Sequence, residues 1–181
     1  MARSAAHYHG PLAEAIKRFK YQAQLVLADP LGKIMADALA SGPAADLDPA
    51  TADVICPVPL HELRLRERGF NQSELLAESV AAMLGKPLRP LLERTRPTAP
   101  QVDIPAESRA ANVRDAFAAR PTEVTAGRRV LLVDDLYTTG ATLTECARAL
   151  NRAEAAEVRV FTLARALPRW RVGARPLPSS Q

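Results

Sequence analysis

The chain has 181 residues, enough for one domain with a core of its own and short of a comfortable two. Hydrophobic residues make up 48 % and charged residues 24 %, the balance of a folding polymer, which excludes a wholly disordered, collagenous or coiled-coil chain. Lys and Arg outnumber Asp and Glu by 24 to 20, and the net +4 favours anionic ligands such as phosphates or nucleic acid without choosing between them.

Residues 1–20 hold no apolar block of the signal-peptide kind, and no run approaches the roughly 20 apolar residues of a membrane helix, so a cytoplasmic protein with no membrane contact is expected. Pro11 at a first helical position, with Leu12, Ile16 and Phe19 at helical spacing, predicts a helix over 11–21 whose other face carries Lys17, Arg18 and Lys20. Asp29 as cap, Pro30 in the first turn and the stripe Leu31, Ile34, Met35, Ala38 and Leu39 predict a second helix ending at Ser41-Gly42-Pro43. Both helices can cover a sheet. Residues 53–56 read as a short buried strand stopped by Pro57 and Pro59. Asn71, with Glu74 three positions on, forms a reciprocal helix cap, and Leu76, Val80, Met83 and Leu84 supply that helix's apolar face up to Gly85-Lys86-Pro87.

A strand is expected over 88–93, an exposed loop of the functional or mobile kind over 95–105, and a short helix over 106–114. Val130-Leu131-Leu132-Val133 is the clearest strand pattern in the chain, and Asp134-Asp135 follows it directly. A helix over 142–153 and a strand over 158–163 complete an alternation that predicts an α/β fold built on a parallel sheet. Cys56 and Cys146 lie far apart without CxxC or Cys/His neighbours, which makes them packing residues rather than a disulfide framework or zinc site. The tail 168–181, rich in Pro and Arg, is expected to be disordered, leaving 1–167 as one folded domain.

Two adjacent acids at the carboxyl end of a buried strand stand where open α/β sheets bind ligands, and carboxylates there can accept from vicinal ribose hydroxyls. Thr138-Thr139-Gly140-Ala141-Thr142 then gives a tight turn of backbone N–H groups and hydroxyls feeding a helix N-terminus, a cradle for phosphate. The alternative is a plain strand-end turn capped by Asp and Thr. GxxxxGK and GxGxxG are both absent, which disfavours a Walker or dinucleotide site.

The strand, Asp134-Asp135, two further residues and Thr138-Thr139-Gly140-Ala141-Thr142 resemble the phosphoribosyl pyrophosphate (PRPP) signature of type I phosphoribosyltransferases. That resemblance implies their fold, a parallel twisted sheet flanked by helices with a small N-terminal helical cover. It also implies that Asp134 and Asp135 take the ribose hydroxyls, that 138–142 take the 5′-phosphate, and that Mg²⁺ arrives through PRPP with no dedicated protein metal site. Cys56-Pro57-Val58-Pro59-Leu60-His61, then Arg64, Arg66, Arg68-Gly69-Phe70-Asn71-Gln72, and later Gln101, Arg109, Asn112-Val113 and Phe117 are similar to the ComF/GntX family of competence-associated phosphoribosyltransferase-like proteins. Members of that family commonly carry an N-terminal four-cysteine zinc module, and nothing here corresponds to it, as in a short variant or a truncated chain.

The resemblance puts Arg64, Arg66, Arg68 and Gly69 on the pyrophosphate, with Arg68 and Arg109 as catalytic candidates and the loop bearing Gln101 and Arg109 as a closing flap. Guanidinium forks suit a leaving group that gathers negative charge. A solvated basic edge is the alternative for the first three arginines, and helix packing or capping for Arg109 and Asn112. Thr138 stands where purine-salvage relatives have a carboxylate, which disfavours a purine acceptor. Two functions follow from the resemblance. One is transfer of a 5-phosphoribosyl group from PRPP to an acceptor with release of pyrophosphate. The other is a catalytically silent PRPP- or nucleotide-binding accessory protein of DNA uptake, whose basic Arg165, Arg169, Arg171 and Arg175, with Trp170 for stacking, contact single-stranded DNA or which meets competence proteins. The oligomeric state stays open, a homodimer among the options.

Overall fold

The computed structural model describes residues 1–99, 105 and 108–166. Residues 100–104 of the expected flap, Gln101 among them, and the tail 168–181 lie outside the described residues, as do 106 and 107 of the expected short helix. Four parallel strands form the main sheet in the order β1 (Ala2–His7), β6 (Glu157–Arg165), β5 (Arg129–Tyr137), β2 (Val54–Pro57). Strand β5 sits inside the sheet, so its side chains alternate between two buried faces. Leu131 and Val133 enter one core and Val130 and Leu132 the other.

The first core is closed by α1 (Gly10–Tyr21), α2 (Ala28–Ala40) and α4 (Gln72–Leu84), which bury Ile16, Phe19, Met35 and Leu76 completely or nearly so. The second lies under α5 (Arg109–Val113), α6 (Ala141–Arg152) and a two-stranded antiparallel ribbon of β3 (Leu92–Arg94) and β4 (Phe117–Ala119). Helix α4 starts at its predicted cap, with Asn71 Oδ1 accepting from the Ser73 N–H at 3.1 Å, but the expected reciprocal bond is not made, because the Glu74 side chain is exposed to solvent. Helix α2 starts differently: Leu27 is the cap residue, and Asp29 lies inside the first turn, where its charge favours the helix dipole.

Three expectations need correction. The N-terminus is more than a helical cover, because β1 pairs along β6 and widens the main sheet; its Ala-rich, polar alternation carries too little apolar content to announce a strand. The expected strand over 88–93 is split. Leu88 makes one parallel bridge beside Ile55, and the strand proper is Leu92–Arg94, paired with an unforeseen partner at Phe117–Ala119. Residues 57–70, to which the sequence reading assigns no helix, contain one, α3 (Glu62–Arg68), capped at its start by His61 Nδ1, which accepts from the Leu63 N–H at 3.3 Å. Gly69 closes it at φ +80°, a left-handed conformation that glycine adopts without strain.

Helices α2 and α4 cross closely at Gly32, where an added Cβ would come within 2.5 Å of Ser79 Cβ. Gly32→Ala would gain about 1 kcal/mol of helix propensity and lose about 1–3 kcal/mol to overpacking. Ser79 Cβ is fixed to the backbone and cannot swing away, so overpacking wins. Urea denaturation is expected to show a net loss of up to about 2 kcal/mol.

Candidate functional site

Strand β5 runs four residues beyond the apolar stretch that marks it in sequence, and it carries Asp134 and Asp135 to the carboxyl end of the sheet. Both side chains are buried, at 8 % and 3 % exposure. Asp134 Oδ1 accepts from Ser73 Oγ at 2.7 Å and from the Asp135 N–H at 2.9 Å. Asp135 Oδ2 meets the Lys20 ammonium at 2.7 Å and has no other partner among the described residues. Burial, and then the charge of Asp135, push the Asp134 carboxyl up to about 7. For Lys20 burial works downward, but Asp135 and Asp134 outweigh it and hold the ammonium above its ordinary range.

After β5 the chain turns through Thr138 and Thr139 to Gly140, at φ +80°, and enters α6. A Cβ at Gly140 would lie 2.5 Å from the Tyr137 hydroxyl, so the turn depends on glycine both for its backbone and for space. Thr139 Oγ1 accepts from the Ala141 N–H at 3.4 Å and caps the helix entry. The N-terminal turn of α6, a twelve-residue helix, therefore faces the two carboxylates. Tyr137 itself packs against the second core under the Arg165 guanidinium, 4.2 Å from its ring centre, which makes it a packing group.

Between these elements opens a cleft of about 460 Å³. Of the residues singled out in sequence, Arg64, Arg68, Arg109, Asp134, Asp135, Thr138, Gly140, Ala141 and Thr142 line it. Arg66, Gly69 and Thr139 do not: Arg66 points to solvent and pairs with Glu62 at 3.2 Å, Gly69 terminates α3, and Thr139 acts as the cap. Arg64 pairs with Glu67 at 2.8 Å, while Arg68 bonds Gln72 Oε1 and lies over the Tyr21 ring at 5.6 Å. Asn112 ties the loop to α5, its amide exchanging hydrogen bonds with both the N–H and the carbonyl of Ala99.

Two cations at the cleft escape the sequence reading. Lys20 registers there as part of the polar face of α1, yet it stands beside the core residue Phe19 at the helix end that overhangs the strand termini. Arg94 sits on β3 above the Phe117 ring at 5.2 Å and bonds Thr98 Oγ1, and burial draws its guanidinium below its usual range. An Arg that follows Glu93 just past the end of the expected strand gives no cue in sequence. With Arg64, Arg68 and Arg109 they bring five cations to a cleft that holds two carboxylates, which suits a ligand with several negative charges. The thiols stay out of this chemistry: Cys56 and Cys146 are buried in the second core, and burial pushes Cys56 up to about 12.

The comparisons with known proteins fit this geometry. Residues 71–174 match the family model described as a phosphoribosyl transferase domain. The chain is 35 % identical over 162 residues to Competence protein F of Haemophilus influenzae, covering 88 % of this chain and 70 % of that one. It is 34 % identical over 166 residues to DNA utilization protein YhgH of Escherichia coli, with 91 % and 71 % covered. Competence protein ComFC of Bacillus subtilis is 32 % identical over 164 residues, with 90 % and 63 % covered. Among solved structures, the glutamine PRPP amidotransferase of B. subtilis matches with 27 % identity and a TM-score of 0.49, over 75 % of this chain and 25 % of that one.

Proposed function

Since this chain belongs to the ComF family of proteins with a phosphoribosyl transferase domain, we propose that its cleft binds the magnesium complex of PRPP and transfers the 5-phosphoribosyl group to an acceptor, releasing pyrophosphate. The observation that carries this reading is the meeting, in one cleft, of a buried Asp134–Asp135 pair, the open turn at the start of α6 and a group of guanidinium and ammonium ions. Each matches one part of the ligand. The carboxylates accept from the two ribose hydroxyls, and the turn at 138–142 surrounds the 5′-phosphate with its N–H groups and with the Thr138 and Thr142 hydroxyls, while Thr139, away from the cleft, offers no side chain to it. Arg64, Arg68 and Arg109 face the pyrophosphate. Arg66 and Gly69 lie away from the cleft and take no direct part.

In transfer, the bond from the anomeric carbon to the pyrophosphate oxygen breaks as the acceptor's lone pair attacks from the opposite face, and the electron pair leaves with the pyrophosphate. The described residues that line the cleft work by positioning and by stabilising the charge that develops on the departing group, with no covalent nucleophile among them. Mg²⁺, an oxygen-seeking ion that keeps several waters, comes with the diphosphate and neutralises part of that charge. The hard carboxylate oxygens of Asp134 and Asp135 are compatible neighbours for it.

The names of the relatives, competence and DNA utilization, favour a second reading, in which the same cleft holds PRPP or a nucleotide while the protein serves DNA uptake. Calorimetric titration is expected to show Mg-PRPP binding with micromolar affinity, about −8 kcal/mol, and competition by ribose 5-phosphate, which carries both the diol and the phosphate. A folded chain that binds neither overturns both readings. Binding without pyrophosphate release, across a panel of nucleophilic acceptors, selects the second.

A further inference from the structure

Lys20 lies outside the segment 71–174 that matches the phosphoribosyl transferase domain, yet it touches the residue pair on which that domain's ligand reading depends. Helix α1 places it there: Ile16 and Phe19 are fully buried in the first core, Phe19 packs on Phe70 at 5.6 Å between ring centres, and the next residue is thereby aimed over the strand ends. Its side chain is only 16 % exposed, and its ammonium sits 2.7 Å from Asp135 Oδ2. Two adjacent carboxylates buried from water repel one another, and in such a place one of them tends to keep its proton. A protonated carboxyl is a poor acceptor for a sugar hydroxyl. An ammonium held against the pair lessens that difficulty.

The other groups facing the pair do this less well. Ser73 donates a neutral hydrogen bond to Asp134, and the Cys146 thiol, driven up by burial, carries no charge to offer. Arg94 acts on Asp134 through space, with its hydrogen bond committed to Thr98, and Tyr21 beside Lys20 lies under Arg68. We propose that Lys20 is a positioning residue of the ribose subsite, the internal counter-ion that shifts the Asp134–Asp135 pair towards the ionised, hydroxyl-accepting form. This rests on the assignment of that pair to the ribose. It means that the N-terminal helix completes the site.

The test measures Mg-PRPP affinity from pH 6 to 9 for the wild type, Lys20→Arg and Lys20→Met, each variant taken as a ratio to the wild type so that the ligand's own titration cancels. Lys20→Met is expected to bind at least tenfold more weakly at pH 7 and to recover to within threefold at pH 9, where the pair ionises without help. Lys20→Arg should keep the wild-type profile. A loss equal at every pH means that Lys20 meets the ligand's anionic groups directly, and overturns the counter-ion role, as does an unchanged affinity. No binding by the folded wild type overturns the ribose assignment itself, a result distinct from either. If Lys20→Met does not fold at pH 7, Lys20→Met/Asp135→Asn, which deletes both charges, is expected to regain a cooperative melting transition; its failure to do so also overturns the role.

Discussion

The double variant Asp134→Asn/Asp135→Asn is expected to bind Mg-PRPP at least about 100-fold more weakly than the wild type while keeping a cooperative melting transition. Hydrogen bonds to an ionised acceptor contribute about 1.5–3 kcal/mol each, so losing two charged acceptors for the ribose diol removes about 3–6 kcal/mol of affinity. Asparagine has nearly the shape of aspartate and leaves the strand register and the α6 turn in place. Calorimetry measures the affinity, and circular dichroism on heating confirms the fold. Unchanged affinity would remove the carboxylates from the binding site and take the ribose assignment with them.

The second large effect concerns stability. Asp134 titrates near pH 7 in the folded chain because burial and Asp135 oppose its charge, against an ordinary value of 3.8. Between those two values the folded state keeps a proton that the unfolded chain has lost, so stability is full below about pH 4 and declines as pH rises towards 7. At 1.36 kcal/mol per pH unit the loss is of the order of 2–4 kcal/mol at pH 8. Asp134→Asn removes the titration but keeps an Oδ1 to accept from Ser73 Oγ and the Asp135 N–H. Urea denaturation is therefore expected to find this single variant about 2–4 kcal/mol more stable than the wild type at pH 8 and indistinguishable from it at pH 4. A gain that is the same at both pH values would exclude the buried charge as its source. The pH-dependent gain would mean that the buried carboxylate costs the fold stability, as groups kept for ligand binding often do.

The β5–α6 unit was legible because its pattern is local: an apolar run, two acids and a small-residue turn are contiguous, and each has one structural meaning. The Asn71 cap of α4 was legible for the same reason. What sequence missed is what depends on contacts across the chain. Strand β1 exists because β6 offers a free edge, and its Ala, Ser and Arg residues acquire extended structure from that ladder rather than from their own preference. Lys20 and Arg94 join the cleft through the placement of whole elements, α1 over the strand ends and β3 above the second core, which no spacing in the chain records. Arg66 shows the reverse case. It belongs to a basic run that looks uniform in sequence, but the pitch of α3 turns it to solvent while Arg64 and Arg68, at two positions to either side, reach the cleft.

The pairing of β1 with β6 joins residues that lie far apart along the chain, as where Ser4 and Thr162, 158 positions apart, share a hydrogen bond of 2.7 Å. During synthesis at about 5–20 residues per second, β1 waits on the order of 8–30 s for its partner strand to be made. Through that interval the apolar stripes of α1 and α2 have no complete sheet to cover, and until β5 is made Lys20 has no Asp135 to meet. Such distant closures also raise contact order and slow the search for the native state. A ribosome-bound chain stopped before residue 157 would thus hold the N-terminal helices without the strand that anchors β1, a natural client for chaperones.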